Sequence, residues 1–156
     1  MKLEQLISKN SVVCNADIRS KKRALEFLAE LLAKESAAAD SFAIFQHLTE
    51  REKLGSTCLG HGVAIPHART SSHNKAIGAF IKLKNGIDFD SPDNKPTDLL
   101  FALMVPEHYT DEHLQILSGL ASCFSDDELR ANLRSANTSE ELYDILTRWQ
   151  ITSQAS

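Results

Sequence analysis

Between residues 20 and 35 the apolar positions Ala24, Leu25, Leu28, Leu31 and Leu32 fall on one helical face, with Glu26, Glu30 and Lys34 on the other. The spacing predicts an amphipathic helix. A second helix is predicted from the cap candidates Asp40 and Ser41 through Phe42, Phe45 and Leu48. Gly55 is its expected left-handed stop, which leaves Arg51 and Glu52 in the last turns. After Gly60 the texture changes to strand. Val63-Ala64-Ile65 is stopped by Pro66, which cannot donate to a ladder, and residues 76–83 place Ile77, Ala79, Ile81 and Leu83 on one face. Ile87 and Phe89 form a short strand before the turn-rich Asp90-Ser91-Pro92-Asp93-Asn94. The unbroken apolar run at residues 99–105 reads as a central strand covered on both faces.

The final third is helical. One helix follows Tyr109-Thr110-Asp111 and is expected to bury Leu114, Leu117, Leu120, Ala121 and Phe124. Two more begin at the capping boxes Ser125-Asp126-Asp127-Glu128 and Thr138-Ser139-Glu140-Glu141, the last carrying Leu142, Ile145, Leu146 and Trp149. Helices on a mixed β-sheet make an α/β fold. No linker, repeat or low-complexity tract divides the chain, so residues 1–156 are read as one domain with a polar tail from about residue 150.

At 156 residues the chain can bury about 70% of its unfolded surface without disulfides or a structural metal. Its 17 Lys+Arg against 21 Asp+Glu give a net charge of −4, with no cationic block of the kind that grips nucleic acid or an anionic membrane surface. Neither partner is expected. The polar residues Lys2, Glu4, Gln5 and Lys9 interrupt any secretory signal, and the longest apolar run is seven residues, too short to cross a bilayer. A cytoplasmic protein is therefore predicted. Cys14, Cys58 and Cys123, odd in number and widely spaced, fit reduced and mostly buried thiols. The cations Lys21-Lys22-Arg23 stand in the first turn of a helix, where the macrodipole prefers anions. The reading is a solvated helix end, with an anionic partner as the alternative.

The chemistry concentrates between residues 54 and 69, which hold three glycines and the sequence Ile65-Pro66-His67-Ala68-Arg69. A histidine at a bared strand end, beside a small residue, presents a neutral nucleophile that can form a readily leaving phosphoramidate. His113 is predicted in the first turn of the third helix, where free backbone N–H groups attract phosphate. Arg51 offers a fixed fork for a phosphoryl oxygen, and Ser56 and Thr57 offer hydroxyl donors. Leu59 and Ile65 are the expected docking residues, while His47 and His108 read as ordinary surface positions. A rival reading gathers Cys58, His61, His67 and His73 into a zinc site, but no second ligand pair completes the cage, and no metal is assigned. Neither a phosphate-binding glycine loop nor a nucleophile elbow is present, so no ATP site or other cofactor is expected.

Three separated blocks carry a resemblance: residues 49–57, the segment Gly62-Val63-Ala64-Ile65-Pro66-His67, and residues 98–106 with His113. In that order they resemble the IIA proteins of the bacterial phosphotransferase system. With Ser20-Lys21-Lys22-Arg23-Ala24-Leu25, the early part of the chain is more similar to nitrogen-regulatory IIA than to the mannitol or fructose domains. The resemblance implies a single-domain IIA fold of the mannitol/fructose type. It implies that His67 accepts a phosphoryl group from an HPr/NPr-like phosphocarrier, that His113 and Arg51 support it, and that phosphorylation state regulates nitrogen- or potassium-related targets such as transporters or sensor kinases. A non-catalytic regulatory binding module is the alternative. Two positions depart from the family pattern: His61 replaces the usual acidic or amide residue six before the histidine, and Ala68-Arg69 replaces Gly-Lys after it.

Overall fold

The computed structural model describes residues 3–36, 40–71 and 74–149. Its organising element is β6 (Thr97–Pro106), whose side chains alternate between two cores. Leu99, Phe101, Leu103 and Val105 face one, and Leu100, Ala102 and Met104 face the other. An apolar run without polar interruption is what a strand buried on both faces requires. On one side β6 pairs antiparallel with β5 (Ile77–Ile87), which pairs parallel with β1 (Val12–Ala16). On the other side β6 pairs parallel with β3 (Val63–Ala64), which pairs antiparallel with β2 (Cys58–Gly60). The mixed α/β sheet is thus the predicted one with β1 and β2 added, and without the expected separate short strand at Ile87 and Phe89: Ile87 is the last residue of β5 and Phe89 lies beyond it.

A further strand overturns one expectation. The chain does not leave the sheet at Pro66: β4 (His67–Thr70) resumes parallel pairing with β6, His67 opposite Leu103. Proline lacks an N–H but keeps its carbonyl, and Pro66 O accepts the Leu103 N–H at 2.9 Å across the break. His67 therefore heads a second short strand and is half-buried, rather than capping a bare strand end.

Helices α1 (Lys21–Lys34) and α2 (Ser41–Leu54) cover one face, their Leu25, Leu28, Leu32, Ile44 and Leu48 packing with Ile77, Ala79, Ile81 and Leu83. The other face carries α3 (Asp111–Phe124), α4 (Asp127–Ser135) and α5 (Ser139–Arg148), around a cluster in which the Phe80 and Phe124 rings stack at 6.1 Å. Asp40 and Thr138 cap their helices as expected, and Ser20 caps α1 by accepting the Arg23 N–H. For α4 the cap is Asp126, which accepts the Leu129 N–H; Ser125 instead turns its hydroxyl back to Ala121 O. Gly55 ends α2 with its N–H on Glu52 O, but at φ 154° and ψ 149° it adopts a glycine-only extended conformation, not the left-handed helical one. Leu114 is exposed, not core. The first turn of α1 is not simply solvated: Lys21 pairs with Glu52 and Asp90, which offsets its poor placement on the helix dipole. Cys58 and Cys123 are buried and Cys14 partly so, none of them in a disulfide. Among the described residues no helix is long and apolar enough to cross a membrane.

Candidate functional site

The C-terminal end of α2, the head of β4 and the first turn of α3 meet around a cavity of about 430 Å³. His67 and His113 lie with ring centroids 5.7 Å apart, and Arg51, Arg69, His47, Glu50, Ala68 and Leu54 complete the lining. The three residues singled out by sequence, His67, His113 and Arg51, are therefore together. They converge because β4 and β6 run parallel, so the residue opening β4 and the helix following β6 arrive at one region of the sheet.

The His67 tautomer is set by a backbone contact. Nδ1 lies 2.8 Å from Ile65 O. A carbonyl only accepts, so Nδ1 carries the proton and Nε2 of the neutral ring keeps its lone pair. Burial pushes the His67 pKa below its ordinary value of 6.5; the Ile65 carbonyl and Glu52 act upward, Arg51 downward, and the net shift is down. The His113 pKa is also lowered, by burial first and then by His67 and Arg69. Two neutral imidazoles thus face each other in a hollow flanked by two guanidiniums. His113 Nδ1 is enclosed with no hydrogen-bond partner among the described residues.

Both arginines are held by neutral acceptors. Arg51 Nη1 donates to Gly55 O at 2.9 Å, and Arg69 Nη2 donates to Glu107 O at 2.9 Å and to Tyr109 O. Carbonyls orient a guanidinium without cancelling its charge. The cavity can therefore receive a dianionic, three-oxygen group against a nucleophilic nitrogen.

Other candidates go elsewhere. Ser56 Oγ donates to Phe89 O at 3.0 Å and the Thr57 hydroxyl to Glu52, so neither lines the cavity. Ile65 is only 3% exposed and cannot dock a partner, while Leu59 is exposed but outside the cavity. The exposed apolar residue of the lining is instead Leu54, 84% exposed; Leu114, 65% exposed, follows His113 in the chain but is not part of the lining. The zinc set is dispersed: Cys58 Sγ points to Phe89 O at 3.2 Å, His61 lines a different hollow, and His73 lies outside the described residues. No group of three His, Cys, Asp or Glu is gathered for a metal among the described residues. His47 and Arg69 were not anticipated in the lining. The signal for His47 was its spacing of four from Arg51, which places both on one helix face.

The fold is that of a phosphotransferase-system component: the chain is a member of the EIIA 2 family of the phosphoenolpyruvate-dependent sugar phosphotransferase system, whose family model matches residues 5–149. Within it, the chain is 44% identical over 146 residues to the nitrogen regulatory protein of Pseudomonas aeruginosa, covering 94% of this chain and 95% of the relative. The crystal structure of nitrogen regulatory protein IIA-Ntr from Neisseria meningitidis superposes with a TM-score of 0.87 at 43% identity, covering 93% of this chain and 99% of that one. The mannitol IIA of Escherichia coli, at 21% identity and a TM-score of 0.74 over 89% of this chain and 97% of that one, shares the fold.

Proposed function

We propose that the chain is a phosphohistidine carrier of regulatory rather than sugar-transporting type, with His67 as the acceptor. A small HPr/NPr-like phosphoprotein docks over Leu54, the exposed apolar residue of the cavity lining, and reaches the exposed Leu114 of α3. Nε2 of neutral His67 attacks the donor's phosphorus in line; the new N–P bond forms as the donor's N–P bond breaks, and the donor imidazole leaves with the electron pair. The His67 ring becomes positive as its lone pair is committed, and the Ile65 carbonyl stabilises the Nδ1–H that remains. Arg51, Arg69 and the N-terminal turn of α3 around His113 meet the equatorial oxygens. The transfer needs alignment and charge more than covalent assistance, so it requires neither nucleotide nor metal from this chain.

The observation that carries this reading is the Nδ1 contact to Ile65, which leaves Nε2 available in a cavity whose two arginines are held by backbone carbonyls. Added negative charge at the rim is then the signal to nitrogen- or potassium-related targets such as transporters or sensor kinases. Incubation with a phosphorylated HPr-type protein is expected to add the mass of one phosphoryl group at His67. His67→Ala is expected to take up none while melting as the wild type does. Uptake by His67→Ala would reject the assignment, and a wild-type chain that binds the donor without taking phosphate would make it a binding module.

A further inference from the structure

Glu52 is a buried charge, 7% exposed, one residue from Arg51, and the transfer just described makes no use of it. A carboxylate is seldom buried without compensation, because taking it out of water costs several kcal/mol unless close partners replace the solvent. Its partners come from both sides. Lys21 Nζ, at the start of α1, stands 3.1 Å from Oε1 and 3.0 Å from Asp90 Oδ2, with its ammonium 4.8 Å over the Phe89 ring. Thr57 donates its hydroxyl to Oε2 and its N–H to Oε1 at 3.4 Å. Between Glu52 and Thr57 lies the turn whose Gly55 carbonyl holds Arg51 at 2.9 Å, and Ser56 in the same turn is anchored to Phe89 O. One carboxylate thus joins α1, the segment after β5 and the turn that aims the guanidinium.

We propose that Glu52 is a positioning residue for phosphoryl transfer at His67: it fixes the Arg51 turn and places beside the site one buried negative charge, whose strength Lys21 moderates. The inference rests on the phosphocarrier reading of the site.

The charged and titratable groups facing His67 are His47, Glu50, Arg51 and Glu52 from α2, Arg69 from its own strand, and His113 from α3. Within that set Arg51 opposes protonation of the ring and Glu52 favours it. Removing Glu52 leaves Arg51 unopposed, so the protonated ring becomes harder to form. Removing Lys21 leaves the carboxylate unneutralised, so the protonated ring becomes easier to form. The two ends of one ion pair therefore act on His67 with opposite sign. A pair that merely held α1 to α2 would lower stability from either end and have no such antisymmetric effect.

The test is a nuclear magnetic resonance titration of the His67 ring in the full chain, without any donor, for the wild type, Glu52→Gln and Lys21→Met. The His67 titration is expected to move to lower pH in Glu52→Gln and to higher pH in Lys21→Met. Phosphoryl uptake from a phosphorylated HPr-type protein, measured where the ring is neutral, is expected to slow by roughly 10- to 100-fold in Glu52→Gln, the loss that a misaligned supporting group brings. Titrations that stay put, or that shift the same way in both variants, overturn the proposal, as does wild-type uptake by Glu52→Gln. Lys21→Met, whose side chain is 23% exposed, carries the electrostatic arm alone if Glu52→Gln does not fold. Because the titration involves no donor, a wild-type chain that takes up no phosphate counts against the carrier reading and leaves the electrostatic result intact.

Discussion

Two hollows of nearly equal size, about 430 Å³ at His67 and about 410 Å³ at His61, are both lined by histidine and arginine, yet they are built on opposite plans. At His61 both arginines of the lining are paired with a carboxylate. Arg134 grips both oxygens of Asp98, at 2.8 and 3.1 Å, and the His61 carbonyl at 2.5 Å. Arg130 donates to Phe124 O at 2.8 Å and pairs with Asp127. Lys82 crosses from β5 to cap the end of α4 on the carbonyls of Arg134 and Ala136, 2.6 Å each. At His67 the guanidiniums rest on carbonyls alone, His113 Nδ1 has no partner among the described residues, and Glu50 is the one carboxylate in the lining. Residue type does not separate the two hollows; what separates them is whether their arginines are already paired with carboxylates.

The largest effect expected from breaking this contrast is at Gly62, which lies in the structural hollow. It holds φ +79°, and an added Cβ would sit 2.4 Å from Arg134 Nη2 and 2.8 Å from Asp98 Oδ1. Gly62→Ala meets both backbone strain and a displaced ion pair, and is expected to cost about 2–4 kcal/mol, read from the denaturation midpoint. Uptake per folded molecule is expected to match the wild type. Uptake abolished in the folded variant would mean that the two hollows work as one.

Exchanging the arginines sharpens the comparison with a smaller effect. Arg51→Ala is expected to slow phosphoryl uptake by about 100-fold, the scale of losing one donor to a developing charge, while stability stays within about 0.5 kcal/mol. Arg134→Ala is expected to do the reverse. Its pair with Asp98 is about one-third exposed, so the stability loss is about 1–2 kcal/mol and uptake stays within about twofold. Paired rate and midpoint measurements check both, and a slow Arg134→Ala or an unstable Arg51→Ala would dissolve the distinction.

The layers of the fold are legible in the sequence because the relevant signals are local. The helical period of residues 24–32 and the uninterrupted apolar run of β6 follow from the burial each element requires. His67, Arg51 and His113 were legible for a different reason: blocks resembling a known family placed them in order, although nothing in their spacing says that parallel pairing of β4 with β6 brings them together. What stayed hidden depends on partners far along the chain. β1 owes its place to pairing with β5, and β4 to a proline that accepts a bond without donating one. Lys21 looked like a misplaced helix-start cation until Glu52 and Asp90, 31 and 69 residues away, supplied its reason. Leu114 fits the apolar stripe of α3 and is nevertheless exposed, since an amphipathic pattern does not distinguish a core face from an apolar surface face.

The smallest expected effect is in acid, and it tests the site's two rings directly. Burial holds both His67 and His113 below the ordinary 6.5, so between the unfolded and folded values the unfolded chain binds more protons. Stability from this source is therefore complete above about pH 6.5 and is lost as pH falls through the folded values. A melting temperature followed from about pH 7.5 down to about pH 5 is expected to decline, and the double variant His67→Gln/His113→Gln to decline less, because glutamine has no proton to gain. Uptake should fade over the same interval, as each protonated His67 ring loses its lone pair. An equal decline in the double variant would place the acid sensitivity outside this cavity and remove the claim that the fold keeps these imidazoles neutral for their task.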